Sequence, residues 1–371
     1  MEIGIIFTLA RYGGVQTCVI SLIKGLNEKG IVPTIIWCDK PNQKILEENN
    51  LEVKFEKYDF YFSTEFMAKQ KNVIRYLLWP FNTVKFSKLK QKYDFIYTFR
   101  HNYSNDDGTP YAFYLSGPPF LPQLYPQKGI ARVRYLFVHT LYKLFLKPFY
   151  PIYEFKGNEK NTVINSQFTS DLFFDAHNMR LDVVYPSNAF TINSKKGFED
   201  KSGVVFLSRI VPYKRPEMLI ELARKYKDTI FSIVGTVESN QMEYYQSLMD
   251  LVDEYKLDNV KFVVNEKFET LQNALKKAKF YVFPAKNEHF GITTVEAIMS
   301  GTIPFVHNSG GQKEIVDKEE LRFEDDEFYE KFDELINAGD EKLNDYQEYF
   351  YHRSEYFSED TYNKRMLEYI R

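Results

Sequence analysis

Cysteine and tryptophan are scarce in this chain, with two of each among 371 residues. Cys18 and Cys38 build neither a disulfide framework nor a metal-ligand set. Both fall inside predicted helix or strand, where a free cysteine acts as a small buried hydrophobe, and a reducing compartment suits them. Long apolar runs are missing as well. No stretch reaches the roughly 18 apolar residues that a membrane-spanning helix needs, so none is predicted. The chain enters a strand at once, without a basic leader and a long apolar core, so no signal peptide is evident and a cytoplasmic location is expected. An excess of one charge sign is also absent. The net charge of −3 argues against a nucleic-acid binder that works through overall charge.

What is present is length, aromatic residues and an alternation of strands with helices. At 371 residues the chain is long for one core, and two domains are expected. Residues 2–8 (EIGIIFT) read as a buried strand, and the glycine turn Gly13-Gly14 follows. Val15, Cys18, Val19, Leu22, Ile23 and Leu26 then recur at helical spacing, and the run ends near Gly30. Thr34 to Trp37 is the next strand. Strand, glycine turn, helix, strand opens a doubly wound sheet. Adjacent glycines let the backbone approach a ligand and aim its amides at it, although a plain tight turn reads the same way. Further strands are predicted over 51–55, 94–99, 111–115 and 162–165. Ligands of such sheets gather at the carboxyl ends of strands. Arg100 and His101 follow the strand 94–99 and stand at such an end; a loop histidine without a role fits the same place.

Residues 190–203 are polar and glycine-containing, a linker. A second alternation begins at Val204. Arg209 and Lys214 frame its first strand-to-helix turn. A fixed guanidinium and a mobile ammonium there suit a diphosphate, and two solvated surface cations are the plainer reading. The most informative stretch runs from Tyr281 to Val316. It reads as a buried strand, a loop holding Glu288 and Gly291, and a short helix from Thr293 that stops at Gly301. A second strand and the turn Asn308-Ser309-Gly310-Gly311 complete it. A helix N-terminus offers free amides and a positive dipole end to a phosphate. Glu296 lies about one turn into that helix, within reach of a nucleotide's hydroxyls. An ordinary strand–helix–strand unit with solvated glutamates has the same outline.

This stretch resembles the signature of glycosyltransferase family 4, enzymes of the GT-B fold. The family's glutamate pair reads here Glu288-His289-Phe290-Gly291, then Glu296-Ala297, Gly301 and Pro304, with His289 where glycine is commoner. Arg209 and Lys214 match a second family pattern, with Ser208 in place of its usual glycine. Residues 287–292 and 307–316 look most like mannosyltransferases that build lipid-linked oligosaccharides.

The resemblance implies two doubly wound, Rossmann-like domains facing across a cleft. Residues 1–190 would form the acceptor side and residues 204–350 the nucleotide-sugar side, with residues 351–371 crossing back to the first domain. It implies a retaining transfer of a hexose, mannose favoured, from a nucleotide diphosphate sugar such as GDP-mannose or a UDP-sugar to a glycan or lipid-linked glycan. The donor would be held by Gly13, Gly14, Phe290, Gly291, Ile292, Thr293 and Glu296, with Arg209, Lys214 and Glu288 at the reacting end. Relatives often carry a histidine after the strand matching 111–115; Ser116 stands there, and His101 is taken as its substitute. No D-x-D triplet occurs, so a reaction without metal or cofactor is expected, with cations doing what a metal does elsewhere. A sugar-nucleotide epimerase of the same architecture and a non-catalytic nucleotide-sugar-binding subunit are the alternatives. Residues 129–155 interleave Arg132, Arg134, Lys143 and Lys147 with aromatic residues. That is the pattern of a basic helix lying on an anionic membrane surface, and equally of a helix packed on the first sheet.

Overall fold

The computed structural model describes residues 1–7, 14–37, 42–57, 84–85, 92–99, 103–104, 110–116, 159–188 and 200–370. Two compact units divide the chain: Met1–Ser187 with Glu359–Arg371, and Asn188–Ser358. The chain therefore returns to the first unit at Glu359, and the helix Asp340–Arg353 stays with the second. Among the described residues no helix is long and apolar enough to cross a membrane.

In the first unit the strands are β1 (Ile3–Ile6), β2 (Thr34–Trp37), β3 (Lys54–Lys57), β4 (Val84–Lys85), β5 (Phe95–Thr98), β6 (Tyr103–Ser104), β7 (Tyr111–Leu115), β8 (Thr162–Ile164) and β9 (Asp182–Val183). Seven of them form one sheet in the order β3-β2-β1-β5-β7-β8-β9, and β4 pairs with β6. All neighbours run parallel. A parallel sheet is covered on both faces, so its strands read as continuous apolar runs. β1 and β5 are buried at every position. Side chains still alternate between faces. Ile3 and Ile5 pack with the helix Gly14–Glu28, while Ile6 joins Ile36, Ile96, Phe113 and Phe173 in a second core cluster.

The helix Glu359–Leu367 lies on the helix Gly14–Glu28, adding Tyr362 and Met366 to the first cluster. The approach is close: a Cβ on Gly25 would stand 2.7 Å from Asn363 Cγ. Tyr97 donates to the Met366 carbonyl at 2.8 Å, so the sheet holds this last helix directly. Cys18 is buried in the same cluster, and burial pushes its thiol up to about 12. Ser166 caps the helix Gln167–His177, its hydroxyl accepting from the Thr169 amide. The strand expected over 51–55 forms instead at Lys54–Lys57. Leu51 is drawn back into the exit of the helix Gln43–Glu48, where its amide bonds the Leu46 carbonyl at 3.0 Å and Asn50 turns with φ 50°.

The second unit is a second parallel sheet: β10 (Val204–Arg209), β11 (Phe231–Thr236), β12 (Val260–Val264), β13 (Phe280–Phe283), β14 (Ile303–His307) and β15 (Arg322–Phe323). Their order is β12-β11-β10-β13-β14-β15, so the winding reverses between β10 and β13. Such a reversal opens a crevice at the carboxyl ends of the two central strands. Each unit by itself is thus a doubly wound, Rossmann-like α/β sheet. Lys201 ties the opposite end together. Its ammonium donates to the Lys276 carbonyl at 2.7 Å and the Ser300 carbonyl at 2.8 Å, at the C-terminal ends of the helices Phe268–Lys277 and Ile292–Met299. A cation is favourable at a helix C-terminus.

β10 reaches two residues further than the apolar run Val204–Leu207, so Arg209 is its last strand residue. Gly235 of β11 faces Ser208 across the ladder, and a Cβ there would overlap the Ser208 carbonyl oxygen. Gly235→Ala should therefore spread the two strands and cost about 1–3 kcal/mol, the usual range for overpacking. Thermal unfolding measures it; an unchanged midpoint would show that the close approach does not matter.

Candidate active site

The carboxyl ends of β10 and β13 each feed a constrained turn. After β10, residues Pro212–Lys214 form one short helical turn, Arg215 takes φ 59°, and Pro216 leads into the helix Glu217–Lys225. Proline fixes φ on both sides of the cation pair Lys214-Arg215. Lys214 is only 7% exposed. Its ammonium contacts the Glu288 carboxylate and sits 5.1 Å from the Phe283 ring centroid and 5.3 Å from that of Tyr213. A charge so far from water needs such a partner. Arg209 reaches outward, donating to the Tyr213 hydroxyl at 2.6 Å. Burial raises the Tyr213 phenol, the Glu288 and Glu238 charges add to this, and Arg209 opposes it. Arg215 turns away from this pair to the Pro284 carbonyl at 3.1 Å and to Asp325 at 2.8 Å.

After β13, the chain passes Pro284, takes φ 51° at Asn287 and φ 104° at Gly291, and enters the helix Ile292–Met299. Gly291 gives that helix no side-chain cap. No hydrogen-bond acceptor for the Ile292 and Thr293 amides occurs among the described residues. A helix start in this state is suited to an anion. Tyr281 anchors it from below, its hydroxyl 2.7 Å from Thr293 Oγ1. Glu296 sits in the fifth position of the helix. It has no ion pair among the described residues, and the protein around it pushes its carboxyl up to about 8. It keeps part of its surface open to solvent.

The turn after β14 backs the Glu288 loop. Gly310 (φ 74°) and Gly311 press against it: a Cβ on Gly310 would lie 2.6 Å from Glu288 N, and one on Gly311 2.9 Å from Phe290 Cα. The Gly311 amide donates to the Glu288 carbonyl at 2.8 Å. Gln312, fully buried, donates to the carbonyls of Ala285 and His307 at 3.0 and 2.8 Å.

Of the residues expected from sequence, Arg209, Lys214, Glu288, Gly291, Ile292, Thr293 and Glu296 converge on this one end of the second sheet. Phe290 is nearby but only 3% exposed, with its ring packed on Phe357, so its side chain is not presented to a ligand. Gly14 begins the helix Gly14–Glu28 of the other unit. Ser116 accepts a hydrogen bond at its carbonyl from Asn165 at 2.7 Å. Gly13, Arg100, His101 and residues 129–155 lie outside the described residues. Sequence reading missed Tyr213, His307, Ser309 and Asp325. Only Tyr213 carried a local signal, as an aromatic between Arg209 and Lys214 in a strand-to-helix turn.

Residues 188–353 match the family model of glycosyl transferases group 1. The chain is 27% identical over 185 residues to the GDP-Man:Man(3)GlcNAc(2)-PP-Dol alpha-1,2-mannosyltransferase of Yarrowia lipolytica, over 43% of this chain and 29% of that protein. It is 29% identical over 154 residues to the D-inositol 3-phosphate glycosyltransferase of Mycolicibacterium smegmatis, over 38% of this chain and 36% of that one. The chain spans about a third of the length of these curated relatives. Among solved structures, Anabaena HepE in complex with UDP and glucose aligns with 99% of this chain and 98% of its own, at a TM-score of 0.69 and 17% identity. That likeness concerns the fold, which is GT-B. Residues 188–353 are therefore similar to the glycosyl transferases group 1 family, on a chain with the GT-B fold.

Proposed function

We propose that the protein is a retaining glycosyltransferase. It moves a hexose from a nucleotide diphosphate sugar to a glycan or lipid-linked glycan. The observation that carries this reading is the nearly buried Lys214 at the switch point. Arg209 and an uncapped helix start lie at the same strand ends. Breaking an anomeric bond leaves negative charge on the departing diphosphate. Fixed donors aimed at developing charge in a site poor in water are the strongest catalytic device available to a protein. Lys214 and Arg209 take the diphosphate oxygens, and the amides of Ile292 and Thr293 take the rest. Glu288 receives hydroxyls of the sugar. Glu296, neutral over most of the range below about 8, both donates to and accepts from ribose hydroxyls. The reaction uses these cations in place of a metal.

The named donor of the Yarrowia relative favours GDP-mannose, and the UDP in the Anabaena structure keeps UDP-sugars in view. On the resemblance in sequence, His101 is the candidate residue for the acceptor and residues 129–155 the candidate contact for a membrane surface. The epimerase reading separates cleanly: an epimerase changes the sugar with no acceptor present, and NMR of the donor alone reports it.

Two measurements follow. Lys214→Ala should lower transfer from the productive donor by about 10²–10³-fold, as loss of one charge-stabilising donor does elsewhere. Circular dichroism checks that the variant is folded; a folded variant near the wild-type rate would overturn the assignment. The second concerns Glu296. Its carboxyl rises from 4.5 to about 8 in the folded chain, so the folded state holds the extra proton between those values. Stability relative to a non-ionising residue then falls as pH rises through that window. The ligand-free Glu296→Gln variant should gain in melting temperature over the wild type from pH 5 to pH 8 and level off above. A constant difference across that range would contradict the shift.

A further inference from the structure

His307 ends β14 and is 3% exposed, yet no step above uses it. Its Nδ1 lies 2.9 Å from Ser309 Oγ. Ser309 Oγ also accepts from the Asn287 amide at 2.9 Å, one residue before Glu288. With the Asn287 N–H donating to Ser309, the serine hydroxyl hydrogen is free to point at Nδ1, which leaves the ring hydrogen on Nε2. Nε2 faces two carboxylates, at 3.4 Å from Asp325 and 3.8 Å from Glu324, and makes no full hydrogen bond. Asp325 in turn holds Arg215, the residue after Lys214, at 2.8 Å, and Lys286, two residues before Glu288, at 2.5 Å. The imidazole thus stands between the loop of Glu288 and the turn of Lys214. Burial and the nearby Arg215 and Lys286 charges push its pKa down, while Asp325 and Glu324 oppose this.

We propose that His307 is a positioning residue that, through Ser309 and Asn287 on one side and Asp325 and Arg215 on the other, sets Glu288 against Lys214. The inference rests on the transferase reading for what Glu288 and Lys214 do, but not for how they are held. Glu288 is reached through one side-chain hydroxyl and one backbone amide, a brace that adds to the Gly311 bond on the Glu288 carbonyl. A loop that loses this brace can still bind a nucleoside diphosphate through Arg209 and the helix start. It would present the sugar poorly, and small misplacements near a reacting centre cost up to about a hundredfold in rate.

The test uses the full chain and three substitutions, His307→Ala, Ser309→Ala and His307→Asn, whose carbonyl can replace Nδ1 as the acceptor. Two readouts are taken. Hydrogen exchange at the Asn287 amide should quicken by about tenfold or more in both alanine variants and return toward wild type in the asparagine variant. Turnover of GDP-mannose or UDP-glucose, whichever the wild type uses, should fall by about tenfold in either alanine variant. The double variant should lose no more than that, because both residues act on one path. Calorimetric affinity for UDP or GDP should fall less than turnover does, since Arg209 and the helix start still hold the diphosphate. Unchanged exchange at Asn287, additive losses, or a parallel fall in diphosphate affinity would overturn the proposal. If His307→Ala does not fold, Ser309→Ala and His307→Asn decide it. A wild type that turns over neither donor counts against the transferase reading, and the exchange result still stands or falls alone.

Discussion

An ammonium group that is almost out of water must be paired, and Lys214 is paired with Glu288. Leaving one member of such a buried pair alone costs about 3–5 kcal/mol, so the site is built around keeping them together. The two residues come from opposite sides of the switch point, one after β10 and one after β13. Their meeting requires both turns to be stiff. Pro212, Pro216 and the left-handed Arg215 stiffen the first. Gly310, Gly311, Ser309 and Gln312 back the second. The same pairing suggests how an anion enters. A diphosphate can take over the ammonium without ever leaving it unpaired, and the carboxylate released is then free for hydroxyl groups.

Around this pair the charges are ordered by exposure. Arg209 is open and tied to Tyr213, suited to first capture. Lys214 lies deeper. Glu296 departs from that order: part of its surface is open, it has no ion pair among the described residues, and burial against the protein raises its carboxyl toward the neutral form. Asp325 sits to the side, held near 2 by the Arg215 and Lys286 bonds against the opposing effect of burial. These groups all belong to one unit and one end of one sheet, which is why a match confined to residues 188–353 covers them.

Much of this was legible in the sequence, for physical reasons. Strands of a parallel sheet are apolar throughout, and so β13 stood out as Phe280–Phe283 and β2 as Thr34–Trp37. Arg209, Lys214, Glu288 and Glu296 were legible because strand ends and helix starts are where such chemistry gathers. What stayed hidden depends on contacts distant along the chain. Nothing local to His307 or Asp325 says that they meet Arg215 and the Glu288 loop. Phe290 sits in the motif, and only packing shows that its ring turns inward to Phe357. β3 was misplaced because Leu51 is apolar in step with a strand yet closes the preceding helix. The raised carboxyl of Glu296 is likewise a property of its surroundings.

The central claim is that the end of the second sheet is a diphosphate site. Calorimetric titration of the ligand-free chain with UDP and GDP, set against UMP and GMP, tests it most directly. The account predicts that the second phosphate tightens binding by at least tenfold, about 1.4 kcal/mol, and that added salt erodes this gain. It also predicts that Lys214→Ala with Arg209→Ala removes the gain and leaves monophosphate binding nearly intact. Equal affinity for mono- and diphosphates, or a gain that survives loss of both cations, would contradict it.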